Sequence, residues 1–238
     1  RRNRRDAKTS EREDGISYDF IRSYSCEYLN WKKLGRMLKL LKVSITGDLS
    51  SGKTEACQVF QELGAYVVSA DEISHSFLIP HTRIGRRVID LLGSDVVVDG
   101  AFDAQAIAAK VFYNSVLLQG LEAILHPEVC RIIEEQYHQS IQDGNYPFFV
   151  AEVPLLYEIH YAKWFDSVIL VMANEDIRRE RFMKKTGRSS EDFDQRCSRF
   201  LNVEEKLAQA DVVVENNGTK KELHQKIEEY FYALKGAL

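Results

Sequence analysis

An α/β fold is predicted for this chain: a doubly wound, five-stranded parallel sheet covered by helices on both faces. Three observations carry that prediction. Short, nearly continuous apolar runs recur at 41–46, 66–69, 148–152, 167–172 and 211–214, as expected of strands buried on both sides. Helical periodicity fills the long connections between them, which hairpin-linked strands would not need. The first run leads straight into a glycine-framed turn and a helix, and in open parallel sheets the turns at the carboxyl ends of strands hold the ligand.

The 238 residues suffice for one substantial core with a small appended domain. Apolar residues make up 45% and charged residues 29%, and no apolar run approaches the roughly 18–20 residues of a membrane-spanning helix. No signal-peptide pattern is visible, so a cytoplasmic protein with no membrane partner is expected. Cys26, Cys57, Cys130 and Cys197 lie far apart without a C-x-x-C pair, which argues against a zinc site or a disulfide framework. Net charge is −4; residues 1–36 hold ten Lys or Arg against six Asp or Glu, which leaves residues 37–238 at −8. An acidic body argues against nucleic acid as a partner and makes any basic cluster informative.

Residues 1–36 mix Arg with Glu and then carry irregular aromatics, with no sustained period. Met37 stands just ahead of the first strand, so the preceding segment is expected to be a disordered extension or a start-site artefact, with the folded domain at 37–238. Strand one is read at 41–46, helix one at 53–63 and strand two at 66–69. From Asp71 to Tyr146 the only strand signal is at 96–98. Helical patterns run there over 84–92, 104–112, 116–125 and 129–141, with His126-Pro127 ending one of them. Such a stretch, roughly 75 residues, far exceeds one crossover helix and indicates a helical insertion suited to a substrate. Strand three, 148–152, closes in Glu152, and strand four follows at 167–172. A charged helix pair at 175–185 and 191–201 flanks a turn in which Ser189 or Ser190 can cap the second helix. A strand at 211–214 and an amphipathic helix at 219–234 complete the core.

The turn after strand one reads Gly47-Asp48-Leu49-Ser50-Ser51-Gly52-Lys53-Thr54 and fits G-x-x-x-x-G-K-[ST], the phosphate-binding loop. Its glycines let the backbone curl so that N–H groups point inward, and the helix starting near Gly52 adds the positive end of its dipole. Gly47, Ser50, Ser51, Gly52, Lys53, Thr54 and Glu55 are therefore the candidate nucleotide-binding residues. Lys53 is expected to reach the β- and γ-phosphates, and the Thr54 hydroxyl to ligate Mg2+. Glu152 stands where an acid orders metal or water in many phosphate-loop folds, or else braces the turn before Pro154. Asp71 is a candidate to orient and deprotonate an acceptor hydroxyl; an Asp at that point is equally suited to cap the next helix. The densest basic cluster is Arg178, Arg179, Arg181, Lys184, Lys185 and Arg188, in which Arg178, Arg181 and Lys185 share a helical face. It either stabilises a phosphoryl group in transfer or forms a solvated face paired with Glu175, Glu180 and Glu191. His126 reads as a cap or packed residue, not a catalyst.

Several motifs in order carry a resemblance: Ile45-Thr46-Gly47 through Thr54, Val68 through Ile73, Gly100-Ala101-Phe102-Asp103 with Val111-Phe112, and Leu125-His126-Pro127-Glu128-Val129. They continue with Glu152 through Glu158, the Arg181 helix, Glu204-Glu205-Lys206 with Ala210-Asp211, and Asn216-Asn217-Gly218. From Leu41 to Tyr230 the chain resembles the dephospho-coenzyme A kinase family, and HP-x-V followed by PLL-[FY]-E is the specific part. The resemblance implies transfer of the ATP γ-phosphate to the ribose 3′-hydroxyl of dephospho-CoA, with Mg2+, as the last step of CoA synthesis. It implies a nucleotide-binding core (37–71, 147–174 and 202–238), a CoA-binding insertion (72–146) and a lid (175–201). Asp71 is then the catalytic carboxylate, Arg181 faces the phosphates with Lys53, and Asn216, Asn217 and Gly218 lie beside the adenine. A monomer or weak homo-oligomer is expected.

The chain also departs from the family pattern. Asp48 stands where a second loop glycine is usual and needs its side chain turned away from the phosphates. Ser69 replaces an aspartate often found ahead of Asp71, and Arg178, Lys185 and Phe200 occupy positions that often carry Gln, Arg and Gln. Ala104 stands where Arg is frequent. Other small-molecule kinases of this fold would share the loop but not the HP-x-V and PLL-[FY]-E motifs. A guanine-nucleotide switch would carry N-K-x-D, which is absent, and the changes at Asp48 and Phe200 leave an ATP-binding but inactive homologue as a further alternative.

Overall fold

The computed structural model describes residues 40–112 and 114–236; the expectation for residues 1–36 lies outside them. Strand β1 (Leu41–Thr46) leads through the loop to helix α1 (Lys53–Glu62) and strand β2 (Tyr66–Ser69). Helices α2 (Ala70–Ser76) and α3 (Arg83–Leu92), a hairpin of β3 (Val97–Val98) and β4 (Ala101–Phe102), and helices α4 (Ala104–Phe112) and α5 (Ser115–Asp143) follow. The chain then returns to the sheet with β5 (Phe148–Glu152) and β6 (Ser167–Met172). Helices α6 (Glu175–Thr186), α7 (Ser190–Cys197) and α8 (Val203–Gln209) precede β7 (Val212–Glu215) and the last helix, α9 (Lys220–Gly236).

Five strands pair in the order β2-β5-β1-β6-β7, all parallel, which is the fold class read from the sequence. Register decides what this sheet presents. Glu152 is level with Ile45 on one side and Ser69 on the other, so the loop after β1, the start of α2 and the end of β5 emerge together at one edge. One face of the sheet packs on α1 and α9, where Phe60, Leu223, Ile227 and Phe231 are buried with Val43, Ile45 and Phe148. The opposite face receives α2 and α5 through Ile73, Val129, Ile133 and Tyr137. A separate core of Ile84, Val88, Leu92, Ile107, Leu121 and Leu125 joins α3, α4 and α5.

Two local readings are corrected, and the strand signal at 96–98 is borne out. The helix expected to end at His126-Pro127 continues, and α5 is a single helix of 29 residues with Pro127 inside it. Proline removes the donor for the carbonyl of Ala123, but Leu121, Ile124 and Leu125 before it and Val129, Ile133 and Tyr137 after it are all buried, and that packing outweighs the local loss. The signal at 96–98 becomes half of a hairpin whose turn residues, Asp99 and Gly100, both take positive φ, 50° and 79°, as a type I′ turn requires. The second helix of the charged pair stops at Cys197 rather than at Leu201, and α8 arises where no helix was read. Asn202 caps α8 by accepting a hydrogen bond from the Glu205 N–H at 2.8 Å.

Candidate active site

The phosphate loop is a tight curl at the carboxyl end of the central strand. Gly47 and Gly52 take φ of 145° and 108°, and a Cβ on either would fall 2.1 Å from the Val171 carbonyl or 2.2 Å from Asn216 Nδ2. Ser50 adopts a left-handed φ of 59°, a conformation that costs a side-chain-bearing residue roughly 1–2 kcal/mol and clusters at functional sites. No side chain caps α1, so the N–H groups of its first turn keep their capacity for an anion. The Ser51 Oγ is buried without a partner. Lys53 is buried and donates to the carbonyls of Gly47 and Asp48 at 2.9 and 2.8 Å. Burial pulls its ammonium below the usual lysine range, against the opposing pull of Glu152, Asp71 and Asp48.

Thr54 donates its hydroxyl to Glu152 Oε1 at 2.9 Å, joining the start of α1 to the end of β5. Burial pushes the Glu152 carboxyl above the ordinary glutamate range; Thr54 and Lys53 oppose this, while Asp71 and Glu72 reinforce it. Asp71 lies in the first turn of α2 but is not its cap: Ser69 Oγ accepts from the Glu72 N–H at 3.4 Å. The Asp71 side chain is exposed and, among the described residues, has no hydrogen bond or ion pair. Glu55 pairs with Lys220 at 2.8 Å and with His224, so it faces α9 at the cavity's margin.

Lys53, Asp71, Glu152 and Arg181 all line one cavity of about 870 Å³. A second cavity of about 1080 Å³, lined chiefly by α4, α5 and α7, shares Leu155, Arg196 and Arg199 with it. Ala123, His126 and Pro127 border the second cavity, so the interrupted turn of α5 faces open space. Burial lowers the affinity of His126 for a proton.

The basic cluster divides by partner. Arg179 braces α6 against α7: it pairs with Glu175 at 2.5 Å and Asp194 at 2.7 Å, and stacks over Phe193 at 4.7 Å. Arg178 turns away from the face it was expected to share with Arg181 and Lys185; its Nε donates to the Ala173 carbonyl at 3.0 Å. Arg181 NH2 donates to the Asn216 carbonyl at 3.0 Å while its buried NH1 has no partner. Lys185 and Arg188 line the same cavity as Lys53. Asn216 is buried beneath the loop and donates Nδ2 to the Ser51 carbonyl at 2.8 Å. Asn217 accepts from the Asn174 N–H at 2.7 Å, and none of Asn216, Asn217 and Gly218 lines the cavity.

Sequence reasoning missed Lys206. Its ammonium, 2% exposed, donates to Asp48 Oδ1 at 2.6 Å and lies 3.7 Å from Glu158 Oε1 and 4.6 Å from the Phe200 ring centroid. Arg178 adds a second cation 3.8 Å from Asp48 Oδ2. The loop's acid thus faces Lys206 and Arg178 and does not line the cavity that Lys53 lines. Arg196 and Arg199, on the wall common to both cavities, were also missed; two arginines three apart at the end of a charged helix in an acidic chain are the signal that was available.

A parallel sheet that brings a phosphate loop and a free carboxylate to the same edge is the architecture of the phosphate-loop kinases. TT1252 from Thermus thermophilus shares this fold with a TM-score of 0.68 and 28% identity, over 82% of this chain and 98% of that one. The dephospho-CoA kinase from Campylobacter jejuni aligns with a TM-score of 0.55 and 21% identity, over 81% and 96% of the two chains. The family model for dephospho-CoA kinase matches residues 41–222. The dephospho-CoA kinase of Chlamydia abortus is 72% identical over 202 residues, 85% of this chain and 100% of its own length. That of Chlamydia trachomatis serovar D is 60% identical over the same shares. The chain belongs to the dephospho-CoA kinase family.

Two stability predictions follow from the buried charges. Asp48→Gly strands Lys206 in the interior and lowers unfolding free energy by up to about 3 kcal/mol, because only Glu158 remains near; Asp48→Gly with Lys206→Met regains most of it. Urea denaturation of the single and double variants reads this directly, and additive losses would contradict it. For Glu152, a folded-state pKa raised above the usual 4.5 favours the fold at low pH and loses that contribution as pH rises through the folded value. The stability of the wild type relative to Glu152→Gln should therefore fall between pH 4 and pH 7, as seen in paired denaturation curves.

Proposed function

We infer that the protein transfers the γ-phosphoryl group of ATP to the ribose 3′-hydroxyl of dephospho-CoA, forming CoA and ADP in the cytoplasm. The observation that carries this reading is the common cavity of Lys53, Asp71, Glu152 and Arg181, abutting a larger one across Leu155, Arg196 and Arg199. ATP occupies the first and the acceptor the second, with its hydroxyl beside Asp71. The helical segment 72–146 holds the acceptor, and 175–201 is the lid that shields the reaction from water.

The loop N–H groups cradle the phosphates, and Lys53 exchanges the carbonyls of Gly47 and Asp48 for the more negative phosphate oxygens. Asp71, without a partner among the described residues, accepts the proton of the 3′-hydroxyl. The freed oxygen bonds to the γ-phosphorus as the bond to the bridging oxygen breaks, and that electron pair leaves with ADP. Arg181, with one buried N–H unmet, counters charge on the group in transfer. Thr54 Oγ1 and Glu152 Oε1 are hard oxygen donors that fit Mg2+, which would neutralise charge on the β- and γ-phosphate oxygens.

Release of ADP is measured with Mg2+ and ATP in the presence of dephospho-CoA, of AMP, or of no acceptor. Turnover that depends on dephospho-CoA is expected; turnover with AMP alone, or nucleotide binding without turnover, would overturn the reading. Asp71→Asn should lower kcat by about 100-fold or more with KM for ATP within about twofold, whereas near-normal kcat would remove the proton from Asp71's account. Lys53→Ala should abolish nearly all turnover.

A further inference from the structure

The charged and titratable side chains bordering the larger cavity are Glu122, His126, Glu158, Arg196 and Arg199. All but one have their charge answered. Arg199 pairs with Glu122. Glu158 accepts from the Leu201 N–H at 2.8 Å and lies 3.7 Å from Lys206. Burial weakens the hold of His126 on a proton. Arg196 remains: among the described residues its side chain forms no hydrogen bond or ion pair, and its Nε is buried without a partner.

Its setting is built, not incidental. Arg196 lies in the last turn of α7 with its guanidinium 6.0 Å from the Phe112 ring centroid, and the neighbouring Gln195 Nε2 donates to the Phe112 carbonyl at 2.7 Å. That bond ties α7 to the end of α4 and holds Arg196 over the wall where the two cavities meet. Burial, followed by the nearness of Arg188 and Arg199, weakens its hold on its proton, with only Asp192 opposing. A half-buried guanidinium with a buried, unmet Nε–H and like charges beside it is a site that an anion would complete.

We propose that Arg196 is an acceptor-side anchor, which binds a phosphate of the acceptor's own diphosphate at the junction of the cavities. The proposal rests on the functional reading above, since it takes the larger cavity for the acceptor's. It assigns Arg196 to acceptor recognition and leaves the γ-phosphoryl group to Lys53 and Arg181. Charge-assisted hydrogen bonds of this kind are strong enough that losing one weakens binding about tenfold or more.

The test compares wild type, Arg196→Gln and Arg196→Lys in steady-state assays that vary ATP and dephospho-CoA separately. Arg196→Gln should raise KM for dephospho-CoA about tenfold or more, with kcat and KM for ATP within about twofold. Arg196→Lys, which keeps the charge but not the planar fork, should recover part of the loss. An unchanged KM for dephospho-CoA overturns the proposal, as does a rise in both KM values together. A fall in kcat at constant KM overturns it too, because the residue would then act on the group in transfer. Should wild type phosphorylate AMP and not dephospho-CoA, the functional reading fails; the same three variants assayed on AMP, whose phosphate is also the acceptor's own, still decide the role of Arg196.

Discussion

At Gly47 and Gly52 the phosphate loop runs too close to its neighbours for any side chain, and the rest of the site depends on that contact. The loop is pressed against the end of β6 at the Val171 carbonyl and against Asn216 after β7. Asn216 then does three things: its N–H donates to the Met172 carbonyl at 2.7 Å, its side chain to Ser51, and its carbonyl accepts from Arg181. One buried residue therefore links the sheet, the loop and an arginine of α6. This explains how a chain with Ser50 in a left-handed conformation keeps a single loop shape: the strain is local, while the bonds that oppose it come from three separate elements.

Around the loop, cations are sorted by whether a carboxylate reaches them. Arg178, Arg179 and Lys206 are spent on Asp48, Glu175, Asp194 and Glu158: Arg179 joins α6 to α7, Arg178 joins α6 to the loop, and Lys206 joins α8 to the loop and to Glu158. Arg181 and Arg196 each keep a buried N–H without a partner. In an acidic protein such exceptions matter, because a buried cation without a counter-charge is costly unless a ligand supplies one. The unusual residues at 48, 178 and 200 also meet one another: Asp48 faces Lys206 and Arg178, and the Phe200 ring covers the Lys206 ammonium. A substitution that looks adverse beside phosphates becomes part of the attachment between loop and lid.

Strands β1, β2, β5 and β6 run as their apolar patterns indicate, and the phosphate loop sits where its motif places it. Those features were legible because strand hydropathy, glycine conformation and the spacing of Lys53 and Thr54 are properties of a few consecutive residues. Pro127 misled for the same reason: the local rule ends a helix there, and only the cores on either side of α5 keep it whole. For Asp71 the sequence left cap and base open, and Ser69 takes the capping role.

The sequence by itself determined the α/β class, the position of the phosphate loop, and the family likeness through motifs such as HP-x-V. Tertiary structure alone decided which cations face the cavities and which are braces, because that depends on partners distant in the chain. Lys206 and Asp48 are 158 residues apart, and no periodicity relates them. Backbone preference is set locally and can be read locally; charge pairing and burial are set by what folding brings together.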